Sequence, residues 1–210
     1  MVQYTCVVNL RNKFVSQIPR SEILDLIAQS TVEDDYIEFK TELFHPRKPA
    51  KQLEDEKEDL LADLAGFANA AGGLVAVGIA EDDQGRASSL VPVAGDEAAK
   101  LANAIRDLAV AYIKPGMPQL EVVPFKMKDD GSEWIVLIRV PDGLDKPYMS
   151  AYRDRTRFAM RVGNRKRSMA YGEIQQGFLA NPQEMRMAQL VSEIESIKSL
   201  ISDLTTKLGR

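Results

Sequence analysis

Glu33 and Glu38, separated by four residues, lead directly into Phe39 and Lys40, and Glu81 follows a glycine-rich apolar segment further along. Three carboxylates drawn together repel one another and take up protons unless a cation lies between them. A hard divalent ion such as Mg²⁺ or Mn²⁺ is the matching partner, because it takes oxygen ligands. Held in this way it activates water and steadies the charge on a phosphodiester. Lys40 is then the natural contact for the scissile phosphate. The reading is a hydrolytic site with Glu33, Glu38 and Glu81 as metal ligands and, together with Lys40, as the catalytic set. The competing reading takes the same acids as solvated loop residues.

The elements that must position these groups can be read nearby. On a continuous strand Glu33 and Glu38 fall on opposite faces. Glu33 must therefore sit in a bend ahead of the strand read over 36–40, where Asp34 and Asp35 belong. Leu53, Leu60, Leu61, Leu64, Phe67 and Ala68 are near helical spacing and predict a long amphipathic helix over 52–71. Gly72 and Gly73 stop that helix, and 74–80 reads as a short apolar strand covered on both faces. It delivers Glu81 at its end. A phosphate cradle needs the reverse order, a strand and then glycines opening a helix. These glycines are read as a C-cap and a tight turn, with Asn69 tying that turn together.

Elsewhere the pattern predicts a strand over 2–8 and a helix opening at Ser21 as N-cap, with Ile23, Leu24 and Ile27 on one face. A second helix is read over 96–112. Strands over 120–126 and 134–140 flank Asp129-Asp130-Gly131, a hairpin signal. A further strand is read over 156–162 and a short helix over 168–179. The class is α/β (α+β), a mixed β-sheet with flanking helices.

The 210 residues, 45% hydrophobic and 28% charged, suit one sizeable soluble core with an appendage. No apolar run approaches the roughly 20 residues of a membrane span. No signal segment is evident, so a cytoplasmic address and no membrane partner are expected. Cys6 and His45 are the sole cysteine and histidine. They allow no internal disulfide and no His/Cys metal cage within one chain. His45 reads as loop surface and Cys6 as a small buried hydrophobe.

The net charge of −4 hides a segregation, since Arg139 to Arg167 holds nine basic and three acidic residues. Lys146, Arg153, Arg155, Arg157, Arg161, Arg165, Lys166 and Arg167 are the candidate contacts to phosphates of RNA or DNA. A plain basic face is the alternative. After Asn181-Pro182, Met187, Leu190, Ile194, Ile197, Ile201, Leu204 and Leu208 alternate steps of three and four. This is a heptad repeat, and residues 187–208 predict a homo-oligomeric coiled coil, or a helix docked on its own domain.

Taken in order, Glu33-x4-Glu38-Phe39-Lys40, then Ala65-Gly66-Phe67-Ala68-Asn69-x2-Gly72-Gly73-x4-Gly78-Ile79, then Val140-Pro141 with Lys146-Pro147-Tyr148, then Met160-Arg161-Val162-Gly163 resemble the Schlafen-type AlbA-like domain. The resemblance covers roughly residues 21–178. It implies a mixed sheet with helices and a DNA-binding module of bacteria. In the vertebrate nuclease members it implies a metal-dependent endoribonuclease with three carboxylates, acting on structured RNA such as tRNA. By motif, Glu33 and Glu38 are the first two acids. The family's acid pair after the Gly-Ile step reads Ala80-Glu81 here, so the first acid is lost and the second is glutamate. The vertebrate enzymes build their channel from two such lobes and this chain holds one, which a self-associating C-terminal helix would double.

The expected organisation is an extension over 1–20, a Schlafen AlbA-like domain over 21–180 and a coiled coil over 183–208. The expected function is oligomeric nucleic-acid binding, with Mg or Mn as cofactor in the endoribonuclease version. The competing class is a non-catalytic regulatory or scaffold assembly protein that binds a protein partner or a nucleotide.

Overall fold

The computed structural model describes Leu10, residues 13–180 and Ile194. The strand read over 2–8, Cys6 and all of the heptad segment but Ile194 lie outside the described residues. The chain divides into two compact units, Met1–Ala170 and Tyr171–Arg210.

A short 3-10 turn, Val15–Gln17, precedes helix α1 (Arg20–Ala28), strand β1 (Ile37–Lys40) and helix α2 (Ala50–Asn69). Strands β2 (Gly73–Val77), β3 (Ile79–Glu81) and β4 (Ala87–Leu90) follow, then helix α3 (Gly95–Tyr112). Strands β5 (Ile113–Lys114), β6 (Glu121–Lys126) and β7 (Trp134–Val140) lead to the hairpins β8 (Met149–Tyr152) with β9 (Arg155–Arg157) and β10 (Ala159–Val162) with β11 (Arg165–Ser168). In the second unit, helix α4 spans Tyr171–Leu179.

The main sheet has the order β1-β2-β7-β6, with β1 parallel to β2 and the other pairs antiparallel. Strand side chains alternate between faces, and the two faces carry separate cores. Val75, Val77, Val136 and Ile138 pack against α2 and α3 through Leu60, Leu64, Phe67 and Ile105. Ile37, Phe39, Leu74, Ala76, Ile135 and Leu137 point the other way, to Ile23 and Leu26 of α1. Leu10, Val15 and Ile18 are buried in this second core, and the Val15 N–H donates to Glu121 Oε2 at 2.9 Å. The described part of the expected N-terminal extension is thus built into the domain. Because Phe39 faces α1, Glu38 and Lys40 face α2.

The glycine-rich motif sets the height of α2 above the hairpins. Buried Asn69 donates through Nδ2 to the carbonyls of Tyr148 and Ala159, both at 2.7 Å, and accepts the Tyr148 N–H at 2.6 Å. The sequence reading confined Asn69 to its own turn. Instead it anchors the start of both hairpins. Gly72 holds φ +73°, where a Cβ would meet Asp142 N at 2.7 Å.

Three predicted elements change. The apolar segment 74–80 is not one strand: Gly78, at φ +111°, breaks it. Beyond the break, β3 pairs with β4 in a separate two-stranded sheet. The strand over 156–162 divides at Phe158, with β9 paired to β8 and β10 to β11. Helix α1 opens two residues earlier than read, with Pro19 at the N-cap and no side-chain cap, so Ser21 is not the cap. Proline supplies the fixed backbone angle that starts the turn.

Asn69→Ala leaves two carbonyls and one N–H buried without a partner. The expected loss is about 2–4 kcal/mol of stability, read as a lowered urea midpoint at unchanged slope. An unchanged midpoint would show that water replaces the side chain.

Candidate functional site

The site is assembled around Arg161, which β10 carries to the open edge of β1. Its guanidinium donates to Glu38 Oε2 at 2.5 Å, to the Ile37 carbonyl at 3.1 Å and to the Asp34 carbonyl at 2.8 Å. It lies 4.6 Å from the centroid of the Phe67 ring. The side chain is 2% exposed. Burial would raise the Glu38 carboxyl, but Lys40 and Arg161 prevail and hold it below its ordinary range.

Lys40 extends the network. Its Nζ lies 2.5 Å from Glu38 Oε1, 3.4 Å from Asp63 Oδ2 and 3.8 Å from Asp59 Oδ2. Lys166 of β11 reaches Asp59 Oδ1 at 2.5 Å and Asp63 Oδ1 at 2.9 Å. Burial opposes charge on Lys40, yet Asp63 and Glu38 hold it protonated above the usual lysine range. Burial pushes Asp63 up, against the pull of Lys40 and Lys166. Asp59 and Asp63 are site residues that the sequence reading missed. The available signal was a carboxylate, Asp63, inside the run 60–68 of α2, which is otherwise wholly apolar or glycine.

Glu33 sits ahead of β1, as the spacing predicts, after an isolated bridge between Val32 and Arg86. Its Oε1 accepts the Phe39 N–H at 2.7 Å, and its carboxyl hydrogen-bonds to Glu81 at the end of β3. Burial, and then the charge of Glu38, push Glu33 up to about 8. Burial and Glu38 also raise Glu81. The three predicted acids are therefore electrostatic neighbours, with a proton held on the Glu33–Glu81 side.

The donor set does not fit a divalent cation as arranged. Each Glu38 oxygen is taken by a cation, and Glu33 is taken by a backbone N–H and by Glu81. Among the described residues no group of three or more His, Cys, Asp or Glu side chains is placed to hold a metal ion.

The predicted basic residues divide into two kinds. Arg161 is buried, Lys166 lies over Asp59 and Asp63, and Lys146 donates to the Ala70 carbonyl at 2.6 Å beside Asp142. These three charges hold the fold and are not an open surface. Arg153 faces Asp55 at 3.8 Å, and Arg155 and Arg157 face Glu58 at 3.2 and 3.7 Å. Their side chains are 49, 71 and 41% exposed. Arg165 and Arg167 are exposed as well. The acidic side of α2 thus faces the basic segment within one domain.

A family profile described as Schlafen, AlbA_2 matches residues 33–170. The chain belongs to the Schlafen AlbA_2 family. No curated protein matches it. A crystal structure of the DIP2311 protein from Corynebacterium diphtheriae is similar at 18% identity and a TM-score of 0.47, over 86% of this chain and 33% of that one. The chain spans about a third of that protein's length. In this AlbA_2 domain the matched region opens at Glu33 and closes at Ala170, where the first compact unit ends. The motif segments meet in space: β1, the end of α2 and the β10 strand close on Arg161. No described helix of the chain is long and apolar enough to cross a membrane.

Because Glu33 binds its proton more tightly folded than unfolded, the stability it contributes is full at low pH. That stability is lost as pH rises from the ordinary carboxylate range through about 8. Glu33→Gln keeps an acceptor for Phe39 and a donor for Glu81. Urea unfolding is expected to match wild type near pH 5 and to favour the variant near pH 9. Equal curves at both pH values would mean that Glu33 ionises normally.

Proposed function

We propose that this AlbA_2 domain binds nucleic acid through the exposed arginines of its two terminal hairpins and does not hydrolyse it. The observation that carries the reading is the state of Arg153, Arg155 and Arg157, well exposed and 3.2–3.8 Å from the acids of α2. The Arg153–Asp55 pair is exposed on both sides, and pairs of this kind contribute little, about 0–1 kcal/mol. Exchanging a carboxylate for a phosphate oxygen is therefore cheap, and released counterions favour the exchange. Arg165 and Arg167 extend the same surface along β11. The fit of the acids argues against the endoribonuclease version, since Glu38 holds two cations instead of a metal.

The heptads over 187–208 support homo-oligomer formation and would bring two or more such surfaces together. A solution mass that is a multiple of the chain mass is the expected result by sedimentation equilibrium. A monomer would remove that part of the reading.

Anisotropy with labelled RNA and DNA oligonucleotides is expected to show binding at low salt that weakens steeply between about 50 and 200 mM. Arg155→Glu with Arg157→Glu is expected to weaken it by more than about tenfold and flatten the salt slope by about two. Absence of binding to either nucleic acid at low salt would sink the proposal. In parallel, Mn²⁺ is expected to leave the thermal midpoint unchanged within about 1 °C, since no cluster of acids among the described residues is placed to bind it in the folded state. A rise abolished by Glu38→Ala, together with cleavage of tRNA, would restore the metal reading.

A further inference from the structure

On the α2/α3 side of the sheet, β1 runs from Lys40 straight into a cavity of about 820 Å³, within the range of small-ligand pockets. Its floor is apolar, made by Val77, Val93, Leu101 and Val136. Its wall is the loop after β1, where Phe44 and His45 line the opening beside Arg47. That loop is a built structure. Lys48 bridges Glu42 at 3.0 Å and Glu56 at 2.7 Å, and the Phe44 N–H donates to Glu56 Oε2 at 3.0 Å. The Lys48 N–H closes the turn on the His45 carbonyl at 3.0 Å, and the Arg47 N–H donates to His45 Nδ1 at 3.2 Å. Phe44 is held at φ +57°. A bulky side chain adopts this left-handed conformation only where its surroundings over-determine it, and such strain gathers at ligand sites.

We infer that this cavity takes one unpaired nucleobase of a single strand whose backbone lies on the arginine-bearing hairpins, an assignment that rests on the nucleic-acid reading above. A base is a flat apolar ring with a polar edge. Rings of this kind stack on aromatic side chains and guanidinium planes, and their edges hydrogen-bond at the rim. Phe44, His45 and Arg47 supply the stacking surfaces, and an apolar floor receives the ring. At the α3 rim, the Glu97 carboxylate accepts from an exocyclic amine or ring N–H, and Lys100 donates to a base carbonyl. A base inside a duplex is stacked and paired and cannot enter, so the cavity selects single strands.

Ala104 lines the cavity from an exposed position on α3, so Ala104→Trp fills the space without displacing buried atoms. The test titrates the full-length protein with a short labelled single strand, with its annealed duplex and with a nucleoside monophosphate. Wild type is expected to bind the single strand about tenfold more tightly than the duplex. Ala104→Trp is expected to remove that difference while leaving duplex affinity and the urea midpoint unchanged. Light-induced crosslinking of a thio-substituted base in the wild-type complex is expected to label residues 41–47 or 91–101, and this decides the matter even if the variant is unstable. Intact binding with equal single-strand affinity in both proteins and no label at those residues would overturn the cavity assignment alone. A monophosphate bound as tightly as the strand would overturn the strand as occupant. No binding of any probe at low salt would overturn both this assignment and the reading on which it rests.

Discussion

A single guanidinium, that of Arg161, is the contact on which the domain closes. It reaches from β10, the last strand but one, back to the first strand of the sheet, where it meets Glu38 and the carbonyls of Ile37 and Asp34. A buried charge is tolerated only when its hydrogen-bonding capacity is met, and removing one partner of such a pair typically costs about 3–5 kcal/mol. Phe67 covers one face of the group, and Asn69, two residues on in the same helix, pins the strand that carries it. The position of β10, of the hairpins and of the end of α2 all follow from satisfying this one cation.

From that contact outward the domain is ordered by alternating charge. Glu38 holds Arg161 and Lys40, Lys40 faces Asp63, and Asp63 shares Lys166 with Asp59. Toward solvent the series continues through Glu58 and Asp55 to the exposed arginines. Desolvation makes the inner members expensive to separate and leaves the outer ones loosely held. The same row of ion pairs is therefore structural at one end and exchangeable at the other. The boundary between the two falls near Lys166.

Much of this was legible in the sequence because it rests on local pattern. The periodicity of Leu60, Leu61, Leu64 and Phe67 places α2, and the Asp129-Asp130-Gly131 turn places the β6–β7 hairpin. The bend that carries Glu33 follows from its spacing to Glu38. What was hidden is tertiary. Nothing local distinguishes Gly78 as the point where one apolar run passes between two sheets. Composition marked the basic segment, yet a charge count cannot tell Arg161, which is buried, from Arg155, which is not. Asp63 lay within an apolar helix face, where a carboxylate has to be explained by a cation arriving from a distant strand.

The open edge of β1 has a consequence for how copies of this chain coexist. An unpaired strand edge is a template for another strand. Here the Phe39 N–H is covered by Glu33 and the Ile37 carbonyl by Arg161. At the opposite edge, β6 carries Pro124, Glu121 and Lys126. Side chains stand in for the missing neighbour on one side, and proline and charge discourage it on the other. Crowded together, such domains keep their sheets separate and resist fibrillar stacking.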